Sequence, residues 1–435
     1  MRTPVVAAGA VVVAAIAALP YVCGRVLEQE VRAALDDYNK RQAFVTASIV
    51  SYERQWLRSS FVTRLAIRDG AEFARATTQV RHAPFTGFRF ASGDIDVHLP
   101  ETLAATENYY FAGKAPLTID FDVEFAGGTN GTLRSAAVDK PMLARENVRL
   151  AAAASSGRFS IARDKTFRLD WTLPRASYED PGLSLAVEGV GMSAFGQLGD
   201  DDMSEPSGLK IAVAAYRGAM GERRVALKGF SLSTQMTPSA ESLKFALALR
   251  AGAGEAALGA SPYTWDSFDL LCSVSDVPKA PVVKYSADVR NLSDVEATES
   301  QKMLLAMRAL SELASSLAEG DPAFAVDKLE LRTPHGNLTA SLRVGIDKAR
   351  ATAAPQAWTA ADGFVMAGRA SISRDLAVRL VRTAAPGDAE AQAAIAQLAA
   401  RGVVRENGDS LEFDIAARDG VYLVNGVRAT ELTRM

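Results

Sequence analysis

The sequence has 435 residues, a formal net charge of −3, 48% hydrophobic residues, and only two cysteines and three histidines. This length is sufficient for two or three domains with buried cores. The nearly balanced charge excludes a nucleic-acid-binding protein that depends on a basic surface. Two cysteines exclude a disulfide framework, and the three scattered histidines argue against a zinc site.

The first feature along the chain is an uncharged segment, Thr3–Gly24, with an apolar centre at Val5–Val22. About 20 apolar residues at 1.5 Å each span a hydrocarbon core of roughly 30 Å. We therefore predict a transmembrane anchor over residues 1–24. The alternative is a cleaved signal peptide, because Ala15–Ala17 has the small residues of a cleavage site. Arg2 before the span favours a cytoplasmic N-terminus, which in a bacterium leaves the body in the periplasm.

Residues 25–43 are predicted to form an amphipathic stalk helix between the anchor and the folded body. Their apolar side chains recur at three- and four-residue steps, with charged residues between them. These apolar residues are Val26, Leu27, Val31, Ala34, Leu35 and Tyr38.

Residues 44–292 are predicted to form a β-rich periplasmic domain, and the strand pattern continues beyond it. Four segments alternate apolar and polar residues: Leu117–Phe125, Phe167–Leu173, Leu243–Leu249 and Leu338–Ile346. A period of two over this length is typical of antiparallel strands with one buried and one solvated face. Such long strands in series favour an elongated, curved sheet over a compact barrel.

Residues 293–435 are predicted to contain a helix followed by a C-terminal α/β sheet region. Ser293–Glu296 has the pattern of a capping box, which begins a helix that extends to about Ala318. Two shorter helices are predicted near Ser373–Thr383 and Asp388–Ala400. The predicted fold class is therefore α+β and β-dominated, with a transmembrane helix and stalk, then a long antiparallel, curved sheet and a few late helices.

Four motifs together resemble those of a known bacterial family. In chain order they are Tyr52–Ser59, Arg81–Phe85, Leu329–Gly336 and Gly420–Gly426. They resemble the YdgA-like family, a domain of unknown function (945), with a looser similarity to AsmA-like envelope proteins. The resemblance implies an inner-membrane anchor and a periplasmic body, but it supplies no reaction and no catalytic residues. Gln55 and Ala83 replace glycines of the family pattern.

The first motif contains one candidate contact site for a lipid or a protein partner. Tyr52, Arg54 and Trp56 share one face if this segment is a strand, since alternate side chains point the same way. An arginine between two aromatic rings gains roughly 0.5–1 kcal/mol for each exposed cation–π contact. The functional interpretation is a clamp for a lipid headgroup or a partner. The structural alternative is a ladder of side chains that closes the edge of the sheet.

The helix predicted after residue 293 contains the second candidate contact site. Its apolar stripe comprises Met303, Met307, Leu310, Ala314 and Leu317, widened by Leu304 and Leu313. Because methionine adapts to irregular apolar surfaces, this stripe could cover a hydrophobic groove of the sheet. The alternative is a helix that packs permanently on the sheet as part of the core.

The sequence contains no recognisable catalytic motif. The nucleophile elbow, the phosphate loop, the dinucleotide fingerprint and the His-Glu-x-x-His motif do not occur. We therefore expect no cofactor, no metal and no enzymatic activity. The expected function is that of a membrane-anchored periplasmic binding or assembly factor for a lipid, another apolar envelope component or an envelope protein. The alternatives are a self-associating scaffold that organises membrane partners and an enzyme that acts on an envelope polymer.

Overall fold

The computed structural model describes most of the chain. The described residues are 24–39, 45–67, 70–82, 89–143, 145–199, 201–257, 262–292, 298–346, 364–382, 387–418 and 421–428. Among them, no helix combines the length and the apolar composition that crossing a membrane requires. The predicted anchor, Val5–Val22, and the predicted capping box, Ser293–Glu296, lie outside the described residues.

Contacts within the chain divide it into two compact units. The first comprises Met1–Pro181 with Gly189–Gly199, and the second comprises Gly182–Glu188 with Asp200–Met435. Strand β11 (Leu183–Gln197) is divided between them. The predicted boundary at residues 292 and 293 falls inside the second unit.

The first unit consists mainly of antiparallel strands, with helix α1 at residues 24–39 and helix α2 at Ala104–Phe111. Its other strands are β1 (Val45–Arg54), β2 (Arg58–Ile67), β3 (Glu72–His82), β4 (Arg89–His98), β5 (Leu117–Glu124), β6 (Thr129–Ser135), β7 (Val138–Met142), β8 (Arg145–Ala152), β9 (Ser156–Ile161) and β10 (Thr166–Glu179).

Neighbouring strands of the first unit pair in the order β1–β2–β3–β4–β5–β6–β9–β10. Strand β10 pairs with β9 over its first half and with β8 over its second half, and β7 follows on β8. Helix α1 packs on this sheet, because its Leu27 and Val31 contact the buried cluster of Phe61, Val80 and Ala91. The predicted stalk helix therefore covers part of the apolar side of the sheet.

The second unit contains the remaining strands and helices. Its strands are β12 (Ser207–Met220), β13 (Arg223–Pro238), β14 (Ser242–Ala251), β15 (Gly254–Ala257), β16 (Pro262–Trp265), β17 (Ser267–Pro278), β18 (Ala323–Thr333), β19 (Gly336–Ile346), β20 (Phe364–Ser373), β21 (Arg405–Asn407), β22 (Ser410–Arg418), β23 (Val421–Val424) and β24 (Val427–Arg428). Its helices are α3 (Lys279–Asn291), α4 (Glu299–Glu319), α5 (Arg374–Arg382) and α6 (Asp388–Ala400).

Strands of the second unit pair antiparallel in the order β12–β13–β14–β17–β18–β19–β20–β22–β23–β24. Its main buried cluster lies where helices α5 and α6 pack on the sheet, and Leu243, Val277, Ala309 and Ala323 are buried apart from it. Leu376 and Ala377 from α5 and Ile395 from α6 contact Ile372 of β20 and Leu411 of β22. This core is local, and most of the sheet lies outside it.

The asparagine of the C-terminal motif has a structural role. Asn425 and Gly426 both have positive φ angles, of 51° and 84°, as a tight hairpin turn requires. The buried Asn425 side chain accepts a hydrogen bond from the Asp414 amide at 2.8 Å and donates to the Val403 carbonyl at 2.8 Å. This residue therefore joins the β23–β24 turn to strand β22 and to the chain after α6.

The structure confirms the β-dominated fold and corrects the helix predictions. All four alternating segments lie in strands, namely β5, β10, β14 and β19, and both short C-terminal helices are present. Helix α4 begins at Glu299, where Thr298 and Gln301 form the capping box, and it ends before Gly320. The prediction that helices occur only late was wrong, because α2 and α3 were not predicted. Pro281 of α3 lies in the first helical turn, where proline is tolerated.

Candidate functional site: an open apolar sheet face

The second unit carries a continuous row of side chains that crosses nine strands on one side of the sheet. Directly paired residues of antiparallel strands point to the same side, so the pairing defines the row. From β12 to β23 it is Leu209, Thr234, Leu247, Cys272, Val326, Leu342, Gly368, Ile415 and Val424. Eight strand spacings give this row a length of about 38 Å.

Two parallel rows flank it at a distance of two residues along each strand, except on β18, where a bulge sets Val326 and Leu329 three positions apart. The first is Ile211, Leu232, Leu249, Leu270, Leu329, Ala340, Ala370 and Phe413. The second is Ser207, Met236, Phe245, Val274, Phe324, Val344, Met366, Ala417 and Tyr422. We call these three rows the apolar face. They contain no charged residue, and their only polar side chains are those of Ser207, Thr234, Cys272 and Tyr422.

Large side chains of the apolar face remain exposed. Phe245, Leu247, Phe324, Ile415 and Tyr422 are 36–41% exposed. By contrast, Leu411 lies on the same side of β22 under α5 and α6 and is only 2% exposed. The sequence therefore builds a sheet face of core composition, but it is packed only in parts, at Leu411 and Ala417 and at Leu243 near helices α3 and α4. Contiguous apolar surface of this kind marks interaction sites in most proteins.

The opposite side of the same strands is charged. Asp269 on β17 accepts hydrogen bonds from Lys328 at 2.8 Å and from Arg250 at 3.3 Å. Further along the sheet, Arg369 donates to Asp414 at 2.9 Å. The hydrogen bond from Lys328 is the main reason that the pKa of Asp269 lies below its usual range. This side is therefore a solvated surface with cross-strand ion pairs, and it leaves the apolar face as the side able to bind an apolar ligand.

The Tyr52, Arg54 and Trp56 prediction was partly wrong. Tyr52 and Arg54 share one side of β1, where the Tyr52 ring stacks on Phe61 with ring centroids 5.4 Å apart. Arg54 Nη1 lies 3.6 Å from Glu28 Oε2 on helix α1. Trp56 lies beyond the end of the strand, in the turn that the Gln55 amide closes by donating to the Arg58 carbonyl. Burial raises the pKa of Tyr52, in keeping with its position under α1.

Most of the apolar stripe predicted on helix α4 faces solvent, whereas both interpretations placed it against the sheet. Met303, Met307 and Leu310 are 69%, 58% and 47% exposed, whereas Ala309 is 8% exposed. The packed side of the helix is therefore displaced from the predicted stripe and includes Ala309 and, partly, Leu317. Met303, Met307 and Leu310 therefore do not cover the sheet, and their role as lipid or partner contacts, with Leu317, stays a prediction. The contact between α3 and α4 includes an ion pair of Lys284 with Glu312 at 2.7 Å.

Sequence reasoning did not identify the apolar face as a site. It assigned the alternating residues of β14 and β19 to a buried side, and those residues do lie on the apolar face. Strands β17 and β18 were not predicted, because bulges near Leu271 and between Val326 and Leu329 interrupt their alternation of apolar and polar residues. The signal that was available is the number of long alternating strands compared with the small number of helices able to cover them.

Fold and site together define a β-dominated protein with a large antiparallel sheet, few helices and an exposed apolar face. The chain belongs to the family described as bacterial protein of unknown function (DUF945), whose model matches residues 1–430. No curated protein and no solved structure matches the chain.

Proposed function

We propose that this protein is a membrane-anchored envelope protein that binds lipid acyl chains on the apolar face of its second unit. The observation that carries the proposal is the exposure of Phe245, Leu247, Phe324, Ile415 and Tyr422 on one uncharged face. Removing apolar surface from water contributes roughly 25 cal/mol per Å². An acyl chain bound along this face would therefore bury apolar surface that folding leaves exposed, and this burial would stabilise the complex.

The shape of the face favours an extended apolar ligand. Its central row is about 38 Å long, and it is continuous across nine strands. A compact ligand would need a closed pocket with convergent polar groups, whereas a flexible hydrocarbon chain needs only a long apolar surface. This difference leads us to propose acyl chains rather than a small polar molecule.

The location belongs to the same proposal. The apolar segment Val5–Val22 would anchor the chain in the inner membrane with its N-terminus in the cytoplasm and its body in the periplasm. The resemblance to YdgA-like and AsmA-like envelope proteins, which rests on the motifs quoted above, supports this location. We propose a binding role without enzymatic activity or a cofactor, and Tyr52, Arg54 and Trp56 would have a structural role near helix α1.

Photo-cross-linking in cells tests the proposal on the full chain. Benzoylphenylalanine would replace Leu247 or Phe324 on the apolar face, in cells fed with radioactive acetate to label acyl chains. The matched control is the same substitution at Ser341, an exposed residue on the opposite side of β19. Radioactive adducts of the protein at Leu247 and Phe324, but not at Ser341, are the expected result.

Two results would contradict the proposal. Equal labelling at all three positions would mean that the adducts reflect general proximity to the membrane. Adducts between two copies of the chain at Leu247 and Phe324, without labelled lipid, would instead support the self-associating scaffold.

A further inference from the structure

The first unit contains a further candidate binding surface, with the opposite chemical character. A cavity of about 580 Å³ lies against strands β4, β5, β6, β9 and β10, and a second cavity of about 460 Å³ adjoins it. Thr132, Arg158 and Asp170 line both cavities, so the two form one depression. We call this depression the polar trough.

Two rows of polar side chains cross the polar trough, the first from β3 to β10 and the second from β4 to β10. The first row is Arg81, Ser92, Asp122, Asn130, Ser160 and Arg168. The second row is Asp94, Asp120, Thr132, Arg158 and Asp170. Five strand spacings make the first row about 24 Å long and four make the second about 19 Å long, with neighbouring side chains about 4.8 Å apart. The trough is therefore an extended array of hydrogen-bonding groups at regular intervals.

Opposite charges are balanced in the trough but only partly paired. The larger cavity is lined by four arginines and four aspartates. Arg89 pairs with Asp122 at 2.6 Å, and Arg134, which lines the smaller cavity, pairs with Asp120 at 3.1 Å. Within the part of the chain that the structure describes, Arg158, Arg168 and Asp170 form no ion pair and no side-chain hydrogen bond. Their donors and acceptors remain available to a ligand.

One feature of the trough is unfavourable for folding. Asp94 and Asp120 lie directly opposite each other on β4 and β5, and Asp96 is two residues from Asp94. Like charges placed directly across two strands destabilise a sheet. Burial and the neighbouring carboxylates raise the pKa of Asp94. Groups that reduce stability cluster at binding sites, where their function compensates for the loss.

We propose that the polar trough binds a neutral oligosaccharide chain. Sugar hydroxyls both donate and accept hydrogen bonds, so they require carboxylates, guanidinium groups, amides and hydroxyls side by side. The nearly equal numbers of arginines and aspartates, five and four over the two cavities, disfavour polyanions and polycations alike. The length of the rows suits a chain of several sugar units, and the alternation of strand residues keeps the large apolar side chains on the other side of the sheet. This inference is independent of acyl-chain binding by the second unit.

Isothermal titration calorimetry on the full chain tests the inference. The probes are maltohexaose, cellohexaose and chitohexaose, with hexagalacturonate and chitosan hexamer as the charged comparison. The detergent must carry no sugar headgroup, so lauryldimethylamine oxide replaces the alkyl glycosides. Arg158→Gln and Asp170→Asn each remove a single charge, the first with a shorter side chain and the second at nearly constant shape. The control is Arg149→Gln, an exposed arginine of β8 that does not line the trough.

We expect saturable binding of at least one neutral hexasaccharide. Arg158→Gln and Asp170→Asn should each weaken that binding about tenfold, as for the loss of one hydrogen bond to a charged group, and Arg149→Gln should not. The inference is overturned if no neutral probe binds at millimolar concentration, or if a charged probe binds more tightly than the neutral ones. It is also overturned if the trough variants bind as the parent protein does.

Discussion

Helix α4 offers a direct test of the difference between its packed and exposed sides. Met307 is 58% exposed and Ala309 is 8% exposed, although both lie in the same two turns. Met307→Asp leaves the new carboxylate hydrated, so its cost is mainly the lower helix propensity of aspartate, about 0.5 kcal/mol. Ala309→Asp places a carboxylate on the packed side, and burying a charge without a partner costs several kcal/mol.

Leu310→Ala gives an intermediate case whose size follows from exposure. Complete burial of a leucine side chain contributes roughly 1.5–3 kcal/mol, and Leu310 is 47% exposed. About half of that contribution, roughly 1 kcal/mol, should therefore be lost. A leucine in a tightly packed core would lose about 2–5 kcal/mol on the same substitution.

Chemical denaturation followed by circular dichroism measures these differences on the full chain. The expected order of destabilisation is Met307→Asp, then Leu310→Ala, then Ala309→Asp. If Met307→Asp destabilises the protein as much as Ala309→Asp, then the outer side of α4 is packed in solution. That result would refute the assignment of Met303, Met307 and Leu310 to an exposed surface.

Two further predictions concern single side chains. Asn425→Ala should lower the free energy of unfolding by about 3 kcal/mol, because alanine loses the side-chain hydrogen bonds and must keep a positive φ angle. A change under 1 kcal/mol in chemical denaturation would contradict this role of Asn425. Because the pKa of Asp94 is raised in the folded state, its ionised form destabilises the fold. This destabilisation is complete above the folded-state pKa and decreases as the pH falls below it. Asp94→Asn should therefore raise the melting temperature at pH 7, and the difference from the parent protein should disappear in acid. Equal melting temperatures of variant and parent across the pH range would refute the reasoning.

The strands could be predicted because their signal is local. The alternation in Leu117–Phe125 or Leu338–Ile346 follows from side chains that point to opposite sides of a strand, and no other part of the chain is needed to recognise it. The pairing of Leu247 with Cys272 and of Cys272 with Val326 is different, because these partners are brought together by the topology of the whole sheet. The apolar face exists only through such pairings, so it could not be derived from any single segment.

The stripe on α4 was misassigned for a related reason. Hydrophobicity favours Met303, Met307 and Leu310 over Ala309, yet the packed side of the helix includes the small Ala309. Small side chains let helices approach closely, so size rather than hydrophobicity alone decides which side packs. Trp56 was misplaced because the chain turns immediately after Arg54, which the alternation of types in the motif does not reveal.

Solvent exposure distinguishes the parts of this sheet side that helices cover from those that they leave open. Leu411 and Ile415 lie four residues apart on the same side of β22, yet they are 2% and 39% exposed. Helices α5 and α6 bury the first and leave the second outside the core. Helices therefore cover this side of the sheet locally, at Leu411 under α5 and α6 and at Leu243 near α3 and α4, and they leave Ile415 outside. Exposed apolar side chains contribute little to stability, so the extent of the remaining face is best explained by a ligand or partner that covers it.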